Sequence, residues 1–241
     1  MSESKAPWDS KPDDWKDVPA GVFEHAKRQT MAALNTGGPR PVGPRLAYYY
    51  DRDRNYAGAS FASMYPNDPN DLTATDLHAV SLLSVTVGPR ATRRLLNDGP
   101  ERNEILKALR HVPVTDLQVA GPEALAAMGA LQESIKSHLS APDTKFPNRW
   151  VTAAKICARK RPSLFPVRDR VVCEYLGLLR RGSWQIDYQV FRSLIGDAEV
   201  VHACDAAVSA AHDAASDRRL VLDTEMLRVL DAALWTYPDK E

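Results

Sequence analysis

Cysteine is scarce: three in 241 residues, at Cys157, Cys173 and Cys204. Three dispersed thiols exclude a disulfide framework and suit a reducing compartment. With no C-x-x-C or H-E-x-x-H spacing beside them, no metal site is expected. No apolar run approaches the ~20 residues of a membrane span. The opening MSESKAPWDSKPDDWKD has no apolar signal core, so no secretory leader is expected and the chain reads as cytoplasmic. A P-loop and a dinucleotide fingerprint are both missing, and no cofactor is expected. Period-two alternation is nearly absent, which removes most strands and leaves a mainly α, multi-helix globular fold.

What is present is helix signals separated by turns. Residues 1–20 are polar and proline-rich and read as a flexible segment on which Trp8 or Trp15 can dock. Residues 21–241 read as a single helical domain, or as two helical lobes of about 21–140 and 141–241. Gly21 to Leu34 has a helical apolar face, and Thr36 to Pro44 reads as a loop. Tyr48, Tyr49 and Tyr50 beside Arg52 and Arg54 suit core packing first and base stacking second. Thr73 with Asp76 three residues on forms a capping-box variant. Gly88-Pro89, Pro100 and Gly121-Pro122 open further helices, and the last helix runs from Glu225 to Trp235.

The densest stretch is Arg149 to Leu179, RWVTAAKICARKRPSLFPVRDRVVCEYLGLL. A helix beginning at Val151 is broken by Pro162 and Pro166. Asp169 stands where an N-cap belongs, ahead of a stripe formed by Val171, Val172, Tyr175, Leu176 and Leu179. Gly182 reads as the terminator of that second helix. From Lys145 to Arg181 there are ten Lys/Arg and two Asp/Glu, and from Gly182 onward five against eleven. The formal charge of zero therefore conceals a basic centre and an acidic tail. A basic centre of this density favours phosphate backbones, and the equally weighted alternative is a solvated face pairing with the acidic tail.

The run Phe165-Pro166-Val167-Arg168-Asp169-Arg170-Val171-Val172, with Thr152-Ala153-Ala154 and Ile156 before it, resembles the segment that holds the catalytic Asp of helix-hairpin-helix DNA glycosylases. The resemblance covers roughly thirty residues. It implies Asp169 as the catalytic carboxylate. Lys145, Arg149, Lys155, Arg159, Lys160, Arg161, Arg168 and Arg170 would then be nucleic-acid-binding residues. The chain departs from that pattern in its hairpin, which has Lys145-Phe146-Pro147-Asn148-Arg149 in place of a Gly-x-Gly turn. It departs again eighteen residues before Asp169, where the lyase lysine is replaced by Val151. The iron–sulphur ligands are missing as well. A broader match connects Ala158 to Asp169, Asp71 to Leu77 and Leu227 to Asp231 with an uncharacterised family of actinobacterial proteins of unknown function.

These readings give a nucleic-acid-binding protein, with DNA as the expected partner, that acts as a monofunctional glycosylase on an extruded base. The alternative is a non-catalytic helical DNA-binding or protein-interaction module in which Asp169 is only a cap; its partner would be another protein or a second copy of the chain. On the nucleic-acid reading, replacing Arg159, Lys160 and Arg161 by Ala should weaken binding and leave stability nearly unchanged.

Overall fold

The structure, a computed structural model, describes residues 10–53, 56–140, 149–215 and 220–238. Among these every regular element is helical: α1 (Ala20–Ala33), α2 (Val42–Tyr49), α3 (Ala74–Ser81), α4 (Pro89–Leu96), α5 (Pro100–His111), α6 (Pro122–Leu139), α7 (Trp150–Lys160), α8 (Arg170–Tyr175), α9 (Trp184–Gly196), α10 (Ala198–Ala214) and α11 (Met226–Thr236). The expected all-α class is realised. Proline at the first turn opens α4, α5 and α6, where its missing N–H is not needed. Thr73 and Asp76 close a reciprocal capping box on α3. Asp197 caps α10 by accepting from Glu199 N–H at 3.0 Å and Val200 N–H at 3.3 Å.

The centre of the molecule is α7. Nine of its eleven residues are buried, from Thr152 to Lys160. Ala153, Ala154, Cys157 and Ala158 keep it slim enough to be surrounded, and it packs on α6 and α3. On another side α2 lies against α10. A Cβ on Gly43 would come 2.5 Å from the Ala210 carbonyl oxygen, so only glycine permits this approach. Trp15 docks as expected, edge-on to Trp184 at 5.4 Å. One buried cluster runs from Trp15 through to Leu234.

Two boundaries differ from the sequence reading. The loop expected to reach Pro44 ends at Pro41, because Pro44 falls within the first turn of α2, where proline is tolerated. The helix expected to run to Gly182 stops at Tyr175. Gly177, at φ 71°, turns the chain there, and Gly182 follows only a short 3-10 turn, Leu179–Arg181. Leu179 is accordingly 37% exposed instead of completing a stripe.

A candidate ligand cleft beside Asp169

The basic run does not form a surface. Arg159 is fully buried and donates to the carbonyls of Phe61 (3.0 Å), Ala62 (2.7 Å), Met64 and Pro66 (3.2 Å), and from Nε to Asp76 at 3.2 Å. Lys160 Nζ binds Asp76 at 2.9 Å and Asn67 Oδ1 at 2.7 Å. Arg161 donates to the carbonyls of Pro69 at 2.6 Å and Leu109 at 3.2 Å. Arg168 pairs with Asp187 and lies 3.8 Å from the centre of the Trp150 ring. Burial lowers the pKa of each of these four cations.

A helix buried on almost every side directs its long cations inward, where backbone carbonyls satisfy them. The local charge count carries no information about that direction. Phosphate groups outside the fold do not reach Arg159, Lys160 or Arg161 in this arrangement, and truncating them strikes stability first. That reverses the stability expectation for the triple replacement. Arg149 and Arg170 are exposed; Arg170 lies 4.0 Å from Glu174. Lys145 falls outside the described residues.

Asp169 occupies a different setting. The extended backbone after Pro166 delivers it to the N-cap position ahead of α8, where Oδ1 accepts from Val171 N–H at 2.9 Å. Its other oxygen, Oδ2, lies 3.4 Å from Lys155 Nζ. Lys155 comes off the buried face of α7 and also donates to the Leu83 carbonyl at 2.7 Å. Burial lowers the Lys155 pKa, against the opposing attraction of Asp169. The Asp169 side chain is 23% exposed and forms part of the wall of a cleft of about 490 Å³. This is within the ~300–1,000 Å³ of small-ligand sites.

Three aromatic side chains shape that cleft. Tyr49 comes from α2, Trp235 from α11, and Tyr56 from the segment between α2 and α3. Their ring centres stand 5.1–5.9 Å apart in tilted or edge-on pairs. Phe61, Val167 and Val172 add apolar wall, and Asp223, Arg228 and Asp231 add charge. Burial raises the Asp231 carboxyl to about 7, against the pull of Arg228 and of the Val167 N–H. It raises Asp223 too, although Tyr50 Oη donates to that carboxylate at 2.8 Å. Past Tyr56 and Ala57, which line both spaces, the cleft adjoins an open groove flanked by Arg52, Ser60 and Ser63.

Of the residues singled out from sequence, the structure brings Asp169 and Lys155 together at the cleft. It sends Arg159, Lys160, Arg161 and Arg168 into the interior. Tyr49 belongs to the tyrosine cluster read as core packing first and base stacking second; Tyr56, Trp235, Asp223, Arg228 and Asp231 were not anticipated as site residues. One signal for Asp231 was available: a carboxylate inside LRVLDAALW, a helix apolar nearly all round, has to be paired or functional.

Fold and cleft together define an all-helical protein with an aromatic-walled, carboxylate-bearing pocket organised around one central helix. The chain belongs to the family of unknown function DUF6308, whose model matches residues 42–238 and so takes in every cleft residue. No curated protein and no solved structure matches the chain.

Proposed function

We propose that the cleft accepts a nucleobase with its attached sugar and that Asp169 promotes hydrolysis of the N-glycosidic bond. One observation carries this reading: Asp169 is not sealed beneath packed side chains but stands in the wall of a pocket with aromatic sides. Rings of that kind hold a planar heterocycle by stacking. The carboxylate beside it can stabilise the positive charge that builds on the sugar as the bond to the base breaks. The base leaves with the bonding electron pair, water adds at the anomeric carbon, and the proton released by that water restores a neutral base. Capping α8 uses only Oδ1, so cap and charge stabilisation are compatible. Arg149 and Arg170, exposed outside the cleft, supply the phosphate contacts that a strand would need.

A second reading keeps the cleft and replaces the strand by a free nucleoside. It is favoured by the burial of five of the eight cations assigned to phosphate, which leaves few for a backbone. Salt separates the two readings, because strand binding weakens steeply as salt rises and binding of an uncharged nucleoside does not.

The test is base release from a panel of modified oligonucleotides and from the matching nucleosides, with wild type and Asp169→Asn. Asparagine keeps the cap, so the variant should fold normally and lose roughly a hundredfold or more in rate. Equal rates for the two proteins would remove Asp169 from the chemistry. Because Val151 occupies the lyase position, the product strand should stay intact until treated with alkali.

A further inference from the structure

The groove that adjoins the cleft has the opposite electrostatic character. Three carboxylates line the cleft, Asp169, Asp223 and Asp231, against the two cations Lys155 and Arg228. Past Tyr56 and Ala57, which belong to both linings, the groove of about 480 Å³ is flanked by Arg52, Ser60 and Ser63. Among the described residues that line it there is no carboxylate, and its charge comes from Arg52. Arg52 and Ser63 are exposed and Ser60 is half-buried, so these groups open to solvent instead of being sealed in the interior. Among the described residues Arg52 makes no ion pair, and neither serine hydroxyl makes a hydrogen bond.

The two stretches that supply these groups are held from behind. Asp53 N–H donates to Oδ1 of the buried Asp51 at 3.0 Å, which pins the turn that carries Arg52. Arg159 holds the Phe61, Ala62 and Met64 carbonyls, and Met64 N–H donates to the Ser60 carbonyl at 3.0 Å. A guanidinium and two hydroxyls on backbone fixed in this way are a donor set suited to phosphate oxygens.

We propose that the groove seats a phosphate group esterified to the sugar of the molecule whose base lies in the cleft, with Arg52, Ser60 and Ser63 as its donors. This rests on the reading of the cleft as a nucleobase site and names the substrate class: a nucleotide, in preference to a bare nucleoside. An aromatic cleft continuous with a cationic groove matches the two ends of such a molecule, the planar ring and the anion. The phosphate is either the terminal monoester of a free nucleotide or a phosphodiester within a strand, since both present anionic oxygens. Arg52 lies outside the Lys145–Arg181 run, and its exposure gives it the access to phosphate that Arg159, Lys160 and Arg161 lack.

Isothermal titration calorimetry on the full chain tests this with the four 2′-deoxynucleosides, their 5′- and 3′-monophosphates, and trinucleotides without terminal phosphates. For the base that binds best, a monophosphate should bind roughly tenfold tighter than its nucleoside at low salt, the gain from charge-assisted hydrogen bonds. That gain should shrink as salt rises. Arg52→Gln, at an exposed side chain, should abolish the difference. Arg110→Gln removes the same charge from an exposed position on α5 outside both linings and should leave the difference in place. Trinucleotides that match the monophosphates would identify a strand as the source of the phosphate, and monophosphates that bind tighter than trinucleotides would identify a free nucleotide. Equal affinity of nucleoside and monophosphates would overturn the phosphate seat while leaving the cleft a nucleoside site. So would a gain that survives Arg52→Gln, or one that Arg110→Gln reduces as much. If no nucleoside, nucleotide or trinucleotide binds, the nucleobase reading of the cleft fails and this assignment with it.

Discussion

Arg159→Ala should cost the protein a large share of its stability, although the residue sits in a run of cations that reads like a ligand-binding surface. The side chain is fully buried and donates to four backbone carbonyls and one carboxylate. Asp76 Oδ2 keeps Lys160 Nζ at 2.9 Å, Thr73 N–H at 2.9 Å and the Thr73 hydroxyl at 3.0 Å, but the buried Oδ1 loses the Arg159 Nε donor it has at 3.2 Å. The loss falls on that oxygen and on the carbonyls that Arg159 holds between residues 61 and 66, each costing about 1–3 kcal/mol if left dry. Water entering the space vacated by the guanidinium recovers part of that. Breaking a buried pair elsewhere costs about 3–5 kcal/mol, so about 4 kcal/mol is the expected net loss. Against a total of ~5–15 kcal/mol this is severe, and in a chain of this length it should lower Tm by roughly 8–16 °C. Urea and thermal unfolding followed by circular dichroism measure it. Arg170→Ala, at a side chain 81% exposed, is the control and should stay within about 0.5 kcal/mol. An Arg159→Ala protein that loses under about 1 kcal/mol would refute the buried-clasp account.

Two further outcomes follow from packing and charge. Gly43→Ala drives a methyl group into the Ala210 carbonyl, so α2 and α10 must separate; a loss of about 1–3 kcal/mol in denaturant unfolding is expected, and a neutral result would show that the two helices slide apart freely. Asp231 titrates near 7 when folded, against about 3.9 unfolded. The folded state thus holds the proton more tightly, and the stability contribution of this group is fully present below pH ~4. It declines as pH rises through 7, by up to about 4 kcal/mol in all. Relative to Asp231→Asn, wild type should therefore lose stability between pH 5 and pH 8; parallel curves for the two proteins would contradict the raised carboxyl.

Local chemistry was legible in the sequence wherever it depends on neighbours a few residues apart. Thr73 with Asp76, Asp169 ahead of Val171 and proline in the first turn each announce a helix start, because the partner of each group lies within one turn. The all-helical class followed from periodicity for the same reason. The basic run was misleading because charge density along a chain is one-dimensional, while burial depends on how many neighbours surround a helix. The alternation of small residues in TAAKICA was the missed indication, since a helix that slim can be enclosed and its lysines and arginines then have only the interior to reach. The cleft was least legible. It joins Tyr49, Lys155, Asp169 and Trp235, which come together only when α2, α7, α8 and α11 pack.

That assembly explains why the interior of α7 is so highly charged. Arg159 clasps carbonyls between Phe61 and Pro66, immediately after the Ala57–Ser60 turn; Ala57, Gly58 and Phe61 wall the cleft. Lys160 fastens the same stretch through Asn67, and Arg161 through Pro69. One turn earlier, Lys155 ties the Leu83 carbonyl to Asp169. Nonpolar side chains could fill this volume, but they could not satisfy a row of carbonyls in a segment without regular secondary structure, and each carbonyl left dry would be costly. Long cations from a rigid helix satisfy those carbonyls and at the same time fix their positions relative to Asp169. The basic run thus holds the walls of the cleft from behind, and on the proposed reading the residues that meet a ligand are the aromatic rings and carboxylates those walls present.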